Sequence, residues 1–134
     1  MDISINWTDD THQCVHIIYG MYWTWDEFFK IDDTARTMLD SIDHKADFIL
    51  DLRDAILPKN VVGQFPRFAQ GAASLTHPNS RLVVLVGTNA HLRTLLGVFQ
   101  KVYSVAARRV FLVDTLDEAQ GVLAEKTALT PSKG

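Results

Sequence analysis

Ala46-Asp47-Phe48-Ile49-Leu50-Asp51-Leu52-Arg53 contains a short unbroken apolar run, Phe48 to Leu50, closed by a carboxylate and, two residues on, a guanidinium. A strand with one face in water alternates apolar and polar residues. A strand covered on both faces reads as a continuous apolar run instead. The stretch therefore predicts a central strand of an α/β sheet. In open α/β sheets, ligand and partner sites lie beyond the carboxyl ends of the strands. That places Asp51, Arg53 and the loop Asp54-Ala55-Ile56-Leu57-Pro58-Lys59-Asn60 first among candidate functional segments.

Upstream, Thr24-Trp25-Asp26-Glu27 is a capping box with Trp23 and Phe28 as its hydrophobic staple. Trp25, Phe28, Phe29, Ala35, Met38, Leu39 and Ile42 recur at spacings of three and four, predicting one buried helix face to about Ile42. Before it, Ile3 to Thr8 and Cys14 to Tyr22 alternate around the polar turn Asp9-Asp10-Thr11-His12, the pattern of an antiparallel hairpin.

Downstream, Phe65, Phe68, Ala69, Ala72 and Leu75 give a helix that starts near Pro66 or runs from Asn60 with a kink, and Thr76-His77-Pro78-Asn79 ends it. Arg81 to Gly87 holds a second continuous apolar run, predicting another buried parallel strand. Asn89 caps a helix with Leu92, Leu95, Leu96, Phe99, Val102 and Tyr103 on one side. Val110 to Val113 is the last strand, and Thr115-Leu116-Asp117-Glu118 opens a final helix with Ala119, Val122 and Leu123 inward. The order β-β-α-β-α-β-α-β-α describes an α/β domain over residues 1–129, a mixed sheet with an N-terminal hairpin and four helices, and a loose tail at 130–134.

The chain has 134 residues, 47% hydrophobic and 22% charged, which suits one globular domain. A formal charge of -3, with basic residues scattered and only Arg108-Arg109 adjacent, argues against nucleic acid as a partner. Cys14 is alone, the first residues lack the charged and apolar regions of a signal peptide, and no apolar run approaches a membrane span, so a cytoplasmic setting is expected.

The element order, together with Trp23 to Phe28, Asp51-Leu52-Arg53, His77-Pro78-Asn79 and Phe111 to Ala119, resembles the anti-sigma-factor-antagonist or STAS fold, and within it the SpoIIAA-like branch of small stand-alone bacterial proteins. The resemblance implies a non-catalytic, regulatory protein-binding module. STAS domains of sigma-factor pathways carry a phosphorylated serine at the start of the second helix. The corresponding stretch here, Lys59-Asn60-Val61-Val62-Gly63, has no hydroxyl, so the usual phosphoswitch is missing. Asp9-Asp10, Asp51 and Thr88 also imitate a response-regulator receiver. That reading fails, because Asp10 to Cys14 is too short for the helix a receiver needs between its first two strands.

Candidate site residues are Asp51, Arg53, Asp54, Leu57, Pro58, Lys59, Asn60, Phe65, Phe68, Thr88, Asn89 and Asp114, for a protein partner or a small ligand. Asp51, Arg53, Asp54, Thr88, Asn89, Asp114 and Thr115 should gather at the carboxyl edge of the sheet, where two close carboxylates could form an acid/base pair, but such residues also suit helix capping. No nucleophile with an adjacent base and no phosphate loop is present, so no catalytic residue and no cofactor is expected. His12, Cys14 and His16, at alternate positions of a strand, would point the same way and could approach a metal, yet no fourth ligand is placed, and no metal is expected. Trp7, Tyr19, Tyr22, Trp23 and Trp25 read as core and staple, with a homodimer through the hairpin as the alternative. Leu57, Phe65 and Phe68 around a proline-broken helix allow a further reading, a pocket for a small apolar or anionic ligand, by fold-level analogy with the CRAL-TRIO lipid carriers.

Overall fold

A computed structural model describes residues 2–129. The expected loose tail, 130–134, lies outside them. The run at Phe48 forms β3 (Ala46–Asp51), the middle of a five-stranded sheet ordered β1 (Ile3–Trp7), β2 (Cys14–Tyr19), β3, β4 (Ser80–Val86) and β5 (Val110–Val113). β1 and β2 pair antiparallel, Ile5 opposite Ile17, and every other neighbour is parallel, Leu50 lying between Ile17 and Leu85.

Each parallel step is bridged by helix. α1 (Trp25–Asp40) joins β2 to β3. A 3-10 turn (Val62–Gln64), α2 (Phe65–Gly71) and α3 (Ala73–Thr76) join β3 to β4. α4 (Ala90–Val102) and α5 (Ser104–Ala107) join β4 to β5, and α6 (Leu116–Leu129) follows. Crossovers between parallel strands are right-handed, so steps taken always in the same direction deliver their helices to one face. On that face Val15, Ile17, Tyr19, Phe48 and Val83 pack against Ile31, Ala35 and Leu39 of α1 and Ala73 of α3. α6 bridges no strands and covers the reverse face, with Ala119 and Leu123 over Ile49, Val84 and Val86. A third cluster, Phe65, Leu95, Phe99 and Ala107, joins α2 to α4 and α5. β3 is thus enclosed from both sides, Phe48 at 0% and Ile49 at 1% exposure.

The caps form as the sequence predicts. Thr24 Oγ1 accepts from Glu27 N at 3.2 Å while the Glu27 carboxylate accepts from Thr24 N at 3.0 Å. Thr115 and Glu118 do the same at 3.1 Å each. The Trp23 and Phe28 rings lie 6.1 Å apart as the staple.

The helices number six among the described residues, against four expected. Pro66 sits in the first turn of α2, where a missing N–H has no intrahelical partner to lose, so it starts a helix without kinking one. Ala72, extended at ψ 130°, then separates α2 from α3, and Tyr103, at φ -122° and ψ 55°, separates α4 from α5. β2 ends at Tyr19, short of Tyr22, where Gly20 N donates to Asp2 O and the chain turns with Met21 and Tyr22 exposed. Among the described residues no helix is long and apolar enough to cross a membrane.

Asn79 ties the end of α1 to the start of β4. Its Nδ2 donates to Leu39 O at 3.0 Å and Ile42 O at 3.1 Å, carbonyls at and just past the C-terminal end of α1, where the regular helix bonding runs out. Asn79→Ala is expected to cost about 1–2 kcal/mol, measured as a lower urea midpoint with an unchanged slope.

Candidate functional site

β3 stops at a self-contained clamp. Asp51 Oδ1 accepts from Arg53 N at 3.2 Å and Arg53 Nε at 2.9 Å, and Oδ2 accepts from Arg53 Nη2 at 2.7 Å. The guanidinium hydrogen bonds hold the Asp51 carboxyl below its ordinary value, against the opposing effect of burial. From there the chain turns at Asp54 and crosses the top of the sheet. Ile56 N donates to Met21 O at 3.1 Å, and Trp25 Nε1 donates to Lys59 O at 2.8 Å. Asn60 takes the left-handed conformation, φ 67°, which asparagine tolerates better than most residues. The end of the Asn60 side chain lies against Gly63, where a Cβ would displace it. Arg53, Asp54, Lys59 and Asn60 are exposed, while Leu57 and Pro58 are half-buried.

Under this loop lies an apolar chamber of about 150 Å³. Its floor is the sheet, with Tyr19, Leu50, Val83 and Leu85. Its walls are Trp23, Trp25 and Phe28 at the start of α1, Phe65 and Phe68 of α2, and Leu95, Leu96 and Phe99 of α4. Leu57 and Val61 come from the loop. The rings form a chain around it: Trp23 to Trp25 at 5.0 Å, Trp25 to Phe68 at 5.7 Å, Phe68 to Phe65 at 6.3 Å, Phe65 to Phe99 at 5.1 Å. Behind Phe28 and Phe68 opens a polar cleft with Asp32, Asp33, Arg36 and Arg67. There Asp32 accepts from Ala73 N at 2.9 Å and pairs with Arg36, and the Arg67 guanidinium lies 3.7 Å over the Phe29 ring.

Leu57, Phe65 and Phe68 thus come together in the chamber. The polar candidates do not converge on one point. Thr88 and Asn89 are exposed, with Asn89 Oδ1 accepting from His91 N at 2.8 Å as an N-cap. Asp114 stands 3.6 Å from Arg93, and Asp51 is taken by Arg53, so these two carboxylates are paired with separate cations and not with each other. Asp51 is held ionised and is unsuited to act as a general acid at neutral pH. The expected common direction of His12, Cys14 and His16 does not hold for His12. It lies in the turn at φ 54°, its ring stacked 4.5 Å from Trp7, and is not part of the strand. Burial, with the Asp47 and Asp9 charges, pushes the Cys14 thiol up to about 12, far from a reactive thiolate. Among the described residues no three His, Cys, Asp or Glu side chains are grouped to hold a metal.

Chamber residues absent from the sequence-based candidates include Tyr19, Trp23 and Trp25, the strand residues Leu50, Val83 and Leu85, and the α4 side chains Leu95, Leu96 and Phe99. The α4 residues belong to an apolar stripe that a sequence can only assign to the core. These features define an α/β domain with sequential strand order and a roofed apolar chamber at the carboxyl edge of its sheet. Compared with known proteins, the chain matches no family model, no curated protein and no solved structure.

The Asp51 clamp has a pH signature. Its folded-state pKa is below the unfolded one, so its stabilisation is present above the unfolded carboxylate value and is lost as pH falls through the folded value. Arg53 is half-exposed, so the effect is at most about 1 kcal/mol. Arg53→Gln is expected to raise the Asp51 carboxyl titration toward that of an ordinary aspartate, followed by NMR, and to flatten the loss of stability in acid.

Proposed function

We propose that this protein is a non-catalytic carrier or sensor that encloses a small apolar molecule in the chamber beneath the loop Asp54 to Asn60. The observation that carries this reading is the unfilled volume itself. A recess of about 150 Å³ walled almost wholly by aliphatic and aromatic side chains is the kind of site that takes small apolar ligands. One larger side chain, at Ala72 for example, would fill much of it. A volume of this size has room for a molecule as small as benzene.

The STAS-like reading belongs to the same proposal. The leading hairpin and the sequential strands with their crossover helices on one face support it. With no hydroxyl from Lys59 to Gly63, a ligand under the loop stands where a phosphate would act in a sigma-factor relative. A regulatory protein partner, expected from the sequence, has Ile56, Met21 and Tyr22 in its favour, exposed beside Arg53 and Lys59. Both readings use one segment, since the surface a partner would touch is the roof of the chamber.

Ethylbenzene near saturation is expected to raise the melting temperature by about 3–5 °C, as binding to the native state alone requires. Ala72→Leu, filling the chamber, is expected to abolish the shift. An unshifted wild type with no ethylbenzene bound by NMR would sink the carrier reading and leave the protein partner to be pursued.

A further inference from the structure

β5 is an edge strand with the sequence of an interior one. Val110-Phe111-Leu112-Val113 is apolar without a break, like Phe48-Ile49-Leu50 at the centre of the sheet, yet it has a neighbouring strand on one side only, β4. The opposite edge, β1, alternates as an edge with one wet face should, Ser4 and Asn6 being exposed between its apolar residues. β5 lacks that alternation and the usual guards of an edge as well: no proline, no charge and no bulge lies within it. Phe111, Leu112 and Val113 are left half-buried, whereas Phe48 and Ile49 are fully covered.

The backbone shows which groups are open. Val83 N donates to Arg109 O at 2.8 Å and Gly87 N to Val113 O at 2.9 Å, so Arg109, Phe111 and Val113 turn their backbone groups toward β4. Val110 and Leu112 therefore present theirs at the free edge. The next outward N–H, that of Asp114, is already taken by the Glu118 carboxylate at 3.0 Å. Arg108, just before the strand, is exposed and has no counter-ion among the described residues. Asp114, just after it, is exposed with Arg93 at 3.6 Å.

We propose that a second copy of this chain adds to the sheet at this edge, β5 against β5, antiparallel about a two-fold axis. An antiparallel pair sets outward-facing residues opposite one another, which leaves two centred registers for so short a strand. With Leu112 opposite Leu112, the ladder would need the Asp114 N–H that Glu118 holds. With Phe111 opposite Phe111, Val110 of each copy exchanges both backbone bonds with Leu112 of the other, and no occupied group is required. This second register also brings Arg108 of each copy beside Asp114 of the other, at both ends of the pair. The edge is thus self-complementary in charge as well as in hydrogen bonding, as a two-fold contact demands. The two Phe111 rings, half-buried on the reverse face, meet at the close, non-hydrogen-bonded position and cover one another.

Sedimentation velocity of the full chain tests this. The wild type is expected to be dimeric at roughly 100 µM and to dissociate on dilution, as suits a contact at the small end of the size range. Arg108→Glu and Asp114→Lys, both at exposed positions, should each weaken the dimer about tenfold, because a symmetric contact feels every change twice. An equimolar mixture of the two variants should recover the wild-type affinity, since the two new charges then face each other at one end while the original pair remains at the other. A wild type that is monomeric at that concentration would overturn the proposal. A dimer that neither variant weakens, or a mixture that associates no more tightly than the variants alone, would overturn it too and turn attention to the hairpin edge.

Discussion

The constraint on which the structure depends is that its three parallel crossovers all step across the sheet in one direction. Right-handed connections then crowd every crossover helix onto the same face. Only a helix that bridges no strands can reach the other side, and α6 does so, over Ile49, Val84 and Val86. The crowded face cannot seat all its helices side by side on a short sheet. α2 and α4 instead pack on each other through Phe65 and Phe99, at 5.1 Å between rings, and stand partly off the strands. The space between them and Leu50, Val83 and Leu85 is the chamber. On the reverse face, beyond α6, Ser4, Asn6 and Ile18 of the hairpin stay exposed, which is why those two strands alternate while β3 and β4 do not.

The strands were legible because their signals are local and tied to burial. Phe48-Ile49-Leu50 has to be apolar throughout, being covered by α1 from one side and α6 from the other. The capping boxes at Thr24 and Thr115 were legible for the same reason, as both partners lie within four residues. The helix breaks at Ala72 and Tyr103 were not. Apolar spacing runs through Phe68, Ala69, Ala72 and Leu75 without interruption. What stops the helix at Ala72 comes from elsewhere, since Asp32, 41 residues upstream, takes the N–H of Ala73. Local propensity gave way to a tertiary hydrogen bond.

The site was half legible. Leu57, Phe65 and Phe68 stood out because proline and loop chemistry sit beside unusual aromatic density. Asp51 and Arg53 stood out because they end the central strand, yet their chemistry closes on itself in a clamp two residues long. Tyr19 and Trp23 were read as packing and staple, and they are both. Nothing local could show that the Trp23 Nε1 lacks an acceptor, since that depends on what the rest of the fold fails to bring near it. His12 misled in the opposite sense. Regular spacing with His16 suggested a shared face, and a left-handed turn residue stacked on Trp7 removed it.

The aromatic chain from Trp23 through Trp25, Phe68 and Phe65 to Phe99 explains how the chamber persists. Rings meeting edge to face at Trp23–Trp25 and Phe65–Phe99, and tilted at the links between, have few rotamers into which to collapse, so the volume they frame does not close as it would around leucines. The roof is of another kind. Between Asp54 and Asn60 it has no regular secondary structure, and Ile56 N to Met21 O and Trp25 Nε1 to Lys59 O are its ties to neighbouring segments among the described residues. Opening it costs those two hydrogen bonds and the packing of Ala55 and Leu57, less than unfolding any wall. Trp25 belongs to both parts: its ring is a link of the rigid frame and its N–H holds the movable cover. A molecule in the chamber that pressed on that ring would bear directly on the bond that fixes Lys59, and through it on the outer surface of the loop.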